Sequence, residues 1–194
     1  MKVELTYITP DAANVIGLAA AICYDAKTDR ESNIKRAAHC RDSGHLATMR
    51  FAQATFHVSG MSRVCSHQIV RMAHAGILQK SQRYVKETSV EYIDPPTLAL
   101  VESSDQLAWV TLQREAEALY LKLVYSGQMK KEDARYILPQ GCSTEMNLCL
   151  NFQAWKDFLK NRNSKHAQWE VRNIAVEIQA QLAAHCPEIF GAKA

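Results

Sequence analysis

Four basic side chains, Arg63, His67, Arg71 and His74, follow one another at intervals of four, four and three residues. Wound as a helix they fall within roughly an 80° arc, apart from the face carrying Cys65, Ile69, Met72 and Ala73. Such a stripe is either a solvated face or one wall of an anion site. The next segment, Gln79-Lys80-Ser81-Gln82-Arg83-Tyr84, offers backbone N–H groups, a hydroxyl and a guanidinium, donors that hold a phosphate in a fixed orientation. Tyr84 reads as a packing residue with a hydrogen-bonded hydroxyl. Arg162 ends an apolar stripe of Phe152, Trp155 and Leu159, where it either snorkels to water or holds an anion at a pocket rim. Arg135 lies within ion-pairing reach of Glu132. These residue types favour anion capture over nucleophilic attack, because Ser81 has no His or Asp spaced to activate it.

The elements that must position them read as mixed α and β. Lys2 to Tyr7 alternates as a strand. A helix starts at Thr9-Pro10-Asp11, with Pro at its first position, and runs to about Tyr24. A second spans Glu31 to Asp42 and stops at Ser43-Gly44. Arg50 to Val58 is a strand, and Ser62 caps a helix that reaches Gly76. Ser81 to Lys86 is extended, and Val90 to Ile93 is a short strand. Gln106 to Tyr125 is a long helix and Lys131 to Tyr136 a short one. Ser143 to Leu150 is a strand. Asn151 caps a helix to Arg162, and His166 to His185 is the last helix. No repeat, linker or low-complexity tract interrupts the chain. One α+β domain over 1–194, an antiparallel-rich sheet with long helices, is the expectation.

Composition narrows the partners. At 194 residues, 47% apolar and 22% charged, the chain can bury a core without staples and is not globally disordered. A net charge of +3 argues against nucleic acid or an anionic membrane as the partner. The longest apolar run, Ile16 to Cys23, is too short for a membrane span and lacks the flanks of a signal peptide, so a cytoplasmic protein is expected. Cys23, Cys40, Cys65, Cys142, Cys149 and Cys186 stand singly and read as reduced. His39, Cys40 and His45 complete no zinc spacing, and no structural metal is expected. There is no Gly-x-Gly-x-x-Gly, Walker loop or Gly-x-Ser-x-Gly, so a nucleotide site here is built from side chains.

Ser62-Arg63-Val64-Cys65-Ser66-His67-Gln68-Ile69-Val70-Arg71, followed by Gln79 to Lys86, resembles the flavin-dependent thymidylate synthases. So do Glu132-Asp133-Ala134-Arg135-Tyr136-Ile137-Leu138-Pro139 and Arg162 with His166-Ala167-Gln168-Trp169-Glu170-Val171-Arg172. Tyr7-x-Thr9-Pro10-Asp11, Gly44-His45 and Phe56-His57-Val58 look like the family too, and the matches keep one order along most of the chain. The resemblance implies methylation of dUMP at carbon 5, with methylene-tetrahydrofolate as carbon donor, reduced FAD as hydride donor and NADPH as the usual reductant. It implies a homotetramer with sites between subunits. Gln68, Arg71, Gln79, Ser81, Gln82, Arg83, Arg135 and Arg162 match positions that hold dUMP, with Arg71, Ser81 and Arg162 at the reacting end. His45, Arg71, His74, Gln79, Asn151 and His166 fall around the flavin or the folate channel. No cysteine need attack the ring, and an arginine beside the ring oxygens can stabilise enolate charge there.

The chain departs from the family where flavin is held. Arg-His-Arg-x-x-Ser reads Arg71-Met72-Ala73-His74-Ala75-Gly76, and His-x-Thr-x-x-Glu reads His45-Leu46-Ala47-Thr48-Met49-Arg50. Asn-Ala-Arg reads Asn151-Phe152-Gln153, and a later polar position carries Asp157. Arg50 and His74 are the candidates to replace the missing cation and imidazole. The alternative is a pyrimidine-nucleotide-binding homologue whose flavin chemistry is altered or lost.

Overall fold

The computed structural model describes residues 1–85 and 89–191. Lys86, the end of the expected extended stretch, lies outside the described residues. The architecture is mixed α and β with a four-stranded antiparallel sheet in the order β1-β2-β4-β3. The strands are β1 (Lys2–Ile8), β2 (Gln53–Ser62), β3 (Gly76–Gln79) and β4 (Ser143–Asn151). The helices are α1 (Ala12–Ala21), α2 (Arg30–Asp42), α3 (Arg63–Ile69), α4 (Ser103–Tyr125), α5 (Lys131–Ala134), α6 (Phe152–Arg162), α7 (Trp169–His185) and α8 (Pro187–Phe190). By contact the chain forms two compact units. The first holds Met1, Ser59–His67 and Gln79–Met146, and the second holds Lys2–Val58, Gln68–Leu78 and 147–191.

In the second unit, alternate residues of β2 (Ala54, Phe56, Val58) and of β4 (Leu148, Leu150) are buried, the period of two that a half-covered sheet demands. Helix α6 packs on that face through Phe152, Trp155, Phe158 and Leu159, all buried. The Trp155 ring meets Phe56 edge-on at 5.2 Å and Phe158 at 5.6 Å, and its Nε1 donates to the Ala54 carbonyl at 3.0 Å. Asn151 caps the helix as expected, accepting from the Ala154 N–H at 2.9 Å. Helix α1 lies so close to α2 that a Cβ on Gly17 would meet the Asn33 carbonyl oxygen at 1.9 Å. The Asp29 carboxylate, hydrogen-bonded by the Ser32 N–H, caps α2 and is held below the usual carboxylate range by that bond.

In the first unit, α4 is the longest helix, with Tyr120 buried on it. Asp94 accepts from Trp109 Nε1 and Gln113 Nε2, both at 2.8 Å, and the Tyr92 hydroxyl donates to the Gln113 carbonyl. Burial, with Glu117 adding to it, pushes the Tyr92 phenol up to about 12.

Several boundaries differ from the sequence reading. Helix α1 begins at Ala12, because Asp11 adopts a left-handed φ of 49° and gives both carboxylate oxygens to Arg30 at 2.8 and 2.9 Å. Strand β2 begins at Gln53, since Leu46–Phe51 winds into a 3-10 turn. Ser62 does cap α3, accepting from the Cys65 N–H, but the helix ends at Ile69 and not near Gly76. The Met72 N–H turns back to the Ile69 carbonyl, His74 is left-handed at φ 60°, and Gly76 opens a strand whose ladder to β4 outweighs further helix. Ser81–Val85 is a turn and not extended: the N–H groups of Tyr84 and Val85 both reach the Ser81 carbonyl. Val90 to Ile93 reduces to a bridge between Tyr92 and Cys142. Helix α7 starts at Trp169, capped by Gln168, and leaves His166 ahead of it.

Candidate functional site

The early end of α3 dissolves the expected four-residue basic stripe. Arg71 and His74 leave the helix and enter a cleft of about 670 Å³ in the second unit. Three elements supply its cations. Arg50 comes from the 3-10 turn before β2, Arg71 from the turn after α3, and Arg162 from the last turn of α6. Ala154, Asp157, Phe158, Asn161 and Arg162 line it from one face of α6, at helical spacings of three and four. Leu150 and Phe158 give it an apolar floor, with Met72 and Ala73 beside His74.

Arg162 is half-buried and donates from one terminal nitrogen to the Gln68 carbonyl at 3.0 Å. Gln68 therefore contributes its backbone to the orientation of that guanidinium. Arg50 Nε donates to the Gln153 side-chain oxygen at 2.6 Å. The left-handed backbone at His74 is strained for a residue with a Cβ, and it sets the imidazole where the chain reverses into β3. Two residues matched to the flavin side, His45 and His166, are exposed and do not line this cleft.

The first unit gathers the other candidates. Gln79 Nε2 donates to the hydroxyls of Ser66 and Thr144, at 3.0 and 3.1 Å. Gln82 is buried, with its Nε2 3.6 Å from the Cys142 sulfur. Arg63 reaches the Lys80 carbonyl at 3.1 Å, and the Lys80 N–H reaches the Glu145 carbonyl. The turn between these anchors carries Ser81, whose hydroxyl accepts from the Arg83 N–H, and Arg83, which is exposed. Arg83 Nε meets Glu132 Oε2 at 3.2 Å, while Arg135 Nε donates to the Glu132 carbonyl at 3.0 Å. The ion pair that the sequence allowed for Arg135 is thus made by Arg83, because α5 turns the Glu132 carboxylate that way. A cavity of about 450 Å³ opens here, lined by Arg83, Lys130, Lys131 and Glu132 with Val124 and Met129.

Among the described residues all six cysteines are free. Burial pushes the Cys142 thiol up, against the pull of Arg63 and Gln82, and pushes Cys186 up to about 12, with Glu188 adding to it. Neither is a thiolate at neutral pH. No group of three metal-ligating side chains forms among the described residues, and no described helix is long and apolar enough to cross a membrane. Sequence reasoning missed Asn161, Lys130 and Lys131. Asn161 lies four residues after Asp157 on the face that ends in Arg162, and that spacing was the available signal.

The family described as "Thymidylate synthase complementing protein" matches residues 4–188. A protein of Clostridium tetani named flavin-dependent thymidylate synthase is 30% identical, over 98% of this chain and 85% of its own. Proteins of the same name from Mycolicibacterium gilvum and Mycobacteroides abscessus are 29% and 32% identical. Those alignments cover 97% and 79% of this chain and 82% and 66% of theirs.

Proposed function

The chain belongs to the thymidylate synthase complementing protein family, the flavin-dependent thymidylate synthases, and from that membership we propose that it converts dUMP to dTMP. The carbon donor is methylene-tetrahydrofolate, NADPH is the reductant, and the working form is a cytoplasmic homotetramer of one-domain subunits, 1–194, with sites shared between subunits. The observation that carries this reading is the cleft of the second unit, where Arg71, Arg162 and Asn151, all matched to the family's site, line one cavity together with the candidate replacements Arg50 and His74.

That cleft fits a flavin dinucleotide by its donor set. Two bridged phosphates need fixed cations, a flat ring needs an apolar surface and amide donors, and all three line the cleft. Arg50, Arg71, His74 and Asn151 would hold FAD, which when bound and reduced by NADPH would supply the hydride. His45, His166 and Gln79 keep their family assignment around the flavin or folate, and Arg50 and His74 replace the cation and imidazole that the family carries where this chain has Ala73 and Met72.

The remaining work falls to the chain's own side chains. Arg162, aimed by the Gln68 carbonyl, stabilises negative charge on the uracil oxygens and so strengthens carbon 5 as a nucleophile. Arg71 bridges towards the same ring. Ser81 and Arg83, on a turn held by Gln79 and Gln82, and Arg135, on the 3-10 turn after α5, take the phosphate. Burial holds the Cys142 thiol protonated, so that residue is not poised to add to the ring. The test is the absorbance spectrum of the purified protein with dUMP titrated into it. A flavin band with saturable dUMP binding is expected. A colourless protein that binds dUMP supports the altered-flavin alternative, and a colourless protein that binds none refutes both readings.

A further inference from the structure

Glu132 is the one carboxylate lining the cavity at Arg83, among the described residues, and it is already paired with that guanidinium. The pair is loose, with 54% and 40% of the two side chains exposed at an Nε–Oε2 distance of 3.2 Å, so an incoming phosphate can exchange for it. The backbone of Glu132 is fixed by Arg135 Nε on its carbonyl, so the carboxylate stays at the rim when displaced. Lys131 Nζ is held at 2.7 Å on the Tyr84 carbonyl, and Lys130 lines the same cavity. Three cations therefore face one acid.

We propose that Glu132 sets the charge of the ligand this site accepts, favouring a nucleoside monophosphate over its di- and triphosphate. The inference rests on the reading that Arg83 holds the phosphate. An electrostatic contribution from a fixed site charge scales with the charge of the ligand. Removing the Glu132 charge thus raises affinity for every phosphate, and raises it most for the ligand with most charge. A carboxylate kept at that rim is a repulsive element, costing the monophosphate little and the triphosphate more.

The test measures binding of dUMP and of dUTP to the full-length protein by calorimetry, for the unaltered chain, Glu132→Gln, Glu132→Asp and Arg83→Ala. Glu132→Gln should tighten dUMP by about two- to fivefold and dUTP by a larger factor, while Glu132→Asp keeps the original ratio. Equal gains for the two ligands, or weaker dUMP binding in Glu132→Gln, overturn the proposal; the latter would mean that Glu132 orients Arg83 and does not compete with the phosphate. Arg83→Ala separates the two layers. If it leaves dUMP affinity intact, the phosphate assignment itself falls. If it weakens dUMP while Glu132→Gln changes nothing, only the role of Glu132 falls.

Discussion

Arg50 donates through Nε to the side-chain oxygen of Gln153 at 2.6 Å, tying the 3-10 turn before β2 to the first turn of α6 within the lining of the cleft. The bond leaves the outer nitrogens of the guanidinium for a ligand. If this cation replaces the one the family signature supplies, Arg50→Ala should lower retained flavin about tenfold, the worth of one charge-assisted bond at about 1.5 kcal/mol. Gln153→Ala, which loosens Arg50 without removing its charge, should cost less. Flavin-to-protein absorbance ratios after gel filtration measure both. Unchanged ratios in Arg50→Ala would remove Arg50 from the site.

Met72 and Ala73 line the same cleft. The double change Met72→His and Ala73→Arg should raise flavin occupancy and leave dUMP affinity within about twofold, well under 1 kcal/mol. Calorimetric titration of both ligands reads this directly. A gain in dUMP affinity with no gain in flavin would show that the cleft serves the nucleotide alone.

Arg162 is aimed by the Gln68 carbonyl and Arg83 is paired with Glu132, and both are proposed to bind dUMP. Arg162 is half-buried, so Arg162→Ala should cost roughly 2–4 kcal/mol of dUMP binding. Arg83 is exposed and already paired, so its loss should cost less. Reversal of that order in titrations would make Arg83 the main anchor.

Much of the scaffold was legible. The strands β1 and β4, the alternation in β2, the Asn151 cap and the Phe152, Trp155, Leu159 stripe are local signals, and each appears where the sequence put it. The end of α3 was not legible, because Cys65, Ile69, Met72 and Ala73 keep helical spacing beyond Ile69. What stops the helix is a strand ladder between Gly76–Gln79 and a segment some seventy residues away, together with a left-handed His74. The turn at Ser81 escaped for a related reason: Ser81 spends its hydroxyl on the Arg83 N–H two residues on, a bond that composition does not announce. Of the site, Arg50 and His74 were singled out as replacements for the family's lost cation and imidazole, and both line the cleft. Asn161 and the lysines at Glu132 went unread because single charges and amides carry no signal until the fold groups them.

Cys142→Ser should leave turnover within about tenfold, a barrier change of about 1.4 kcal/mol. The hydroxyl can still accept from Gln82, and the buried thiol it replaces is held protonated. Steady-state rates with circular dichroism as the folding control check this. Abolished turnover in a folded variant would point to covalent attack on the ring.

The central claim is that this chain itself carries out the reductive methylation. Its most direct measurement is release of tritium from carbon 5 of labelled dUMP by the purified protein. Release is predicted only when methylene-tetrahydrofolate, NADPH and FAD are all present, and it should fall by at least about a hundredfold in Arg162→Ala, the equivalent of roughly 2.7 kcal/mol. A folded protein that binds dUMP and flavin yet releases no tritium under those conditions would contradict the account.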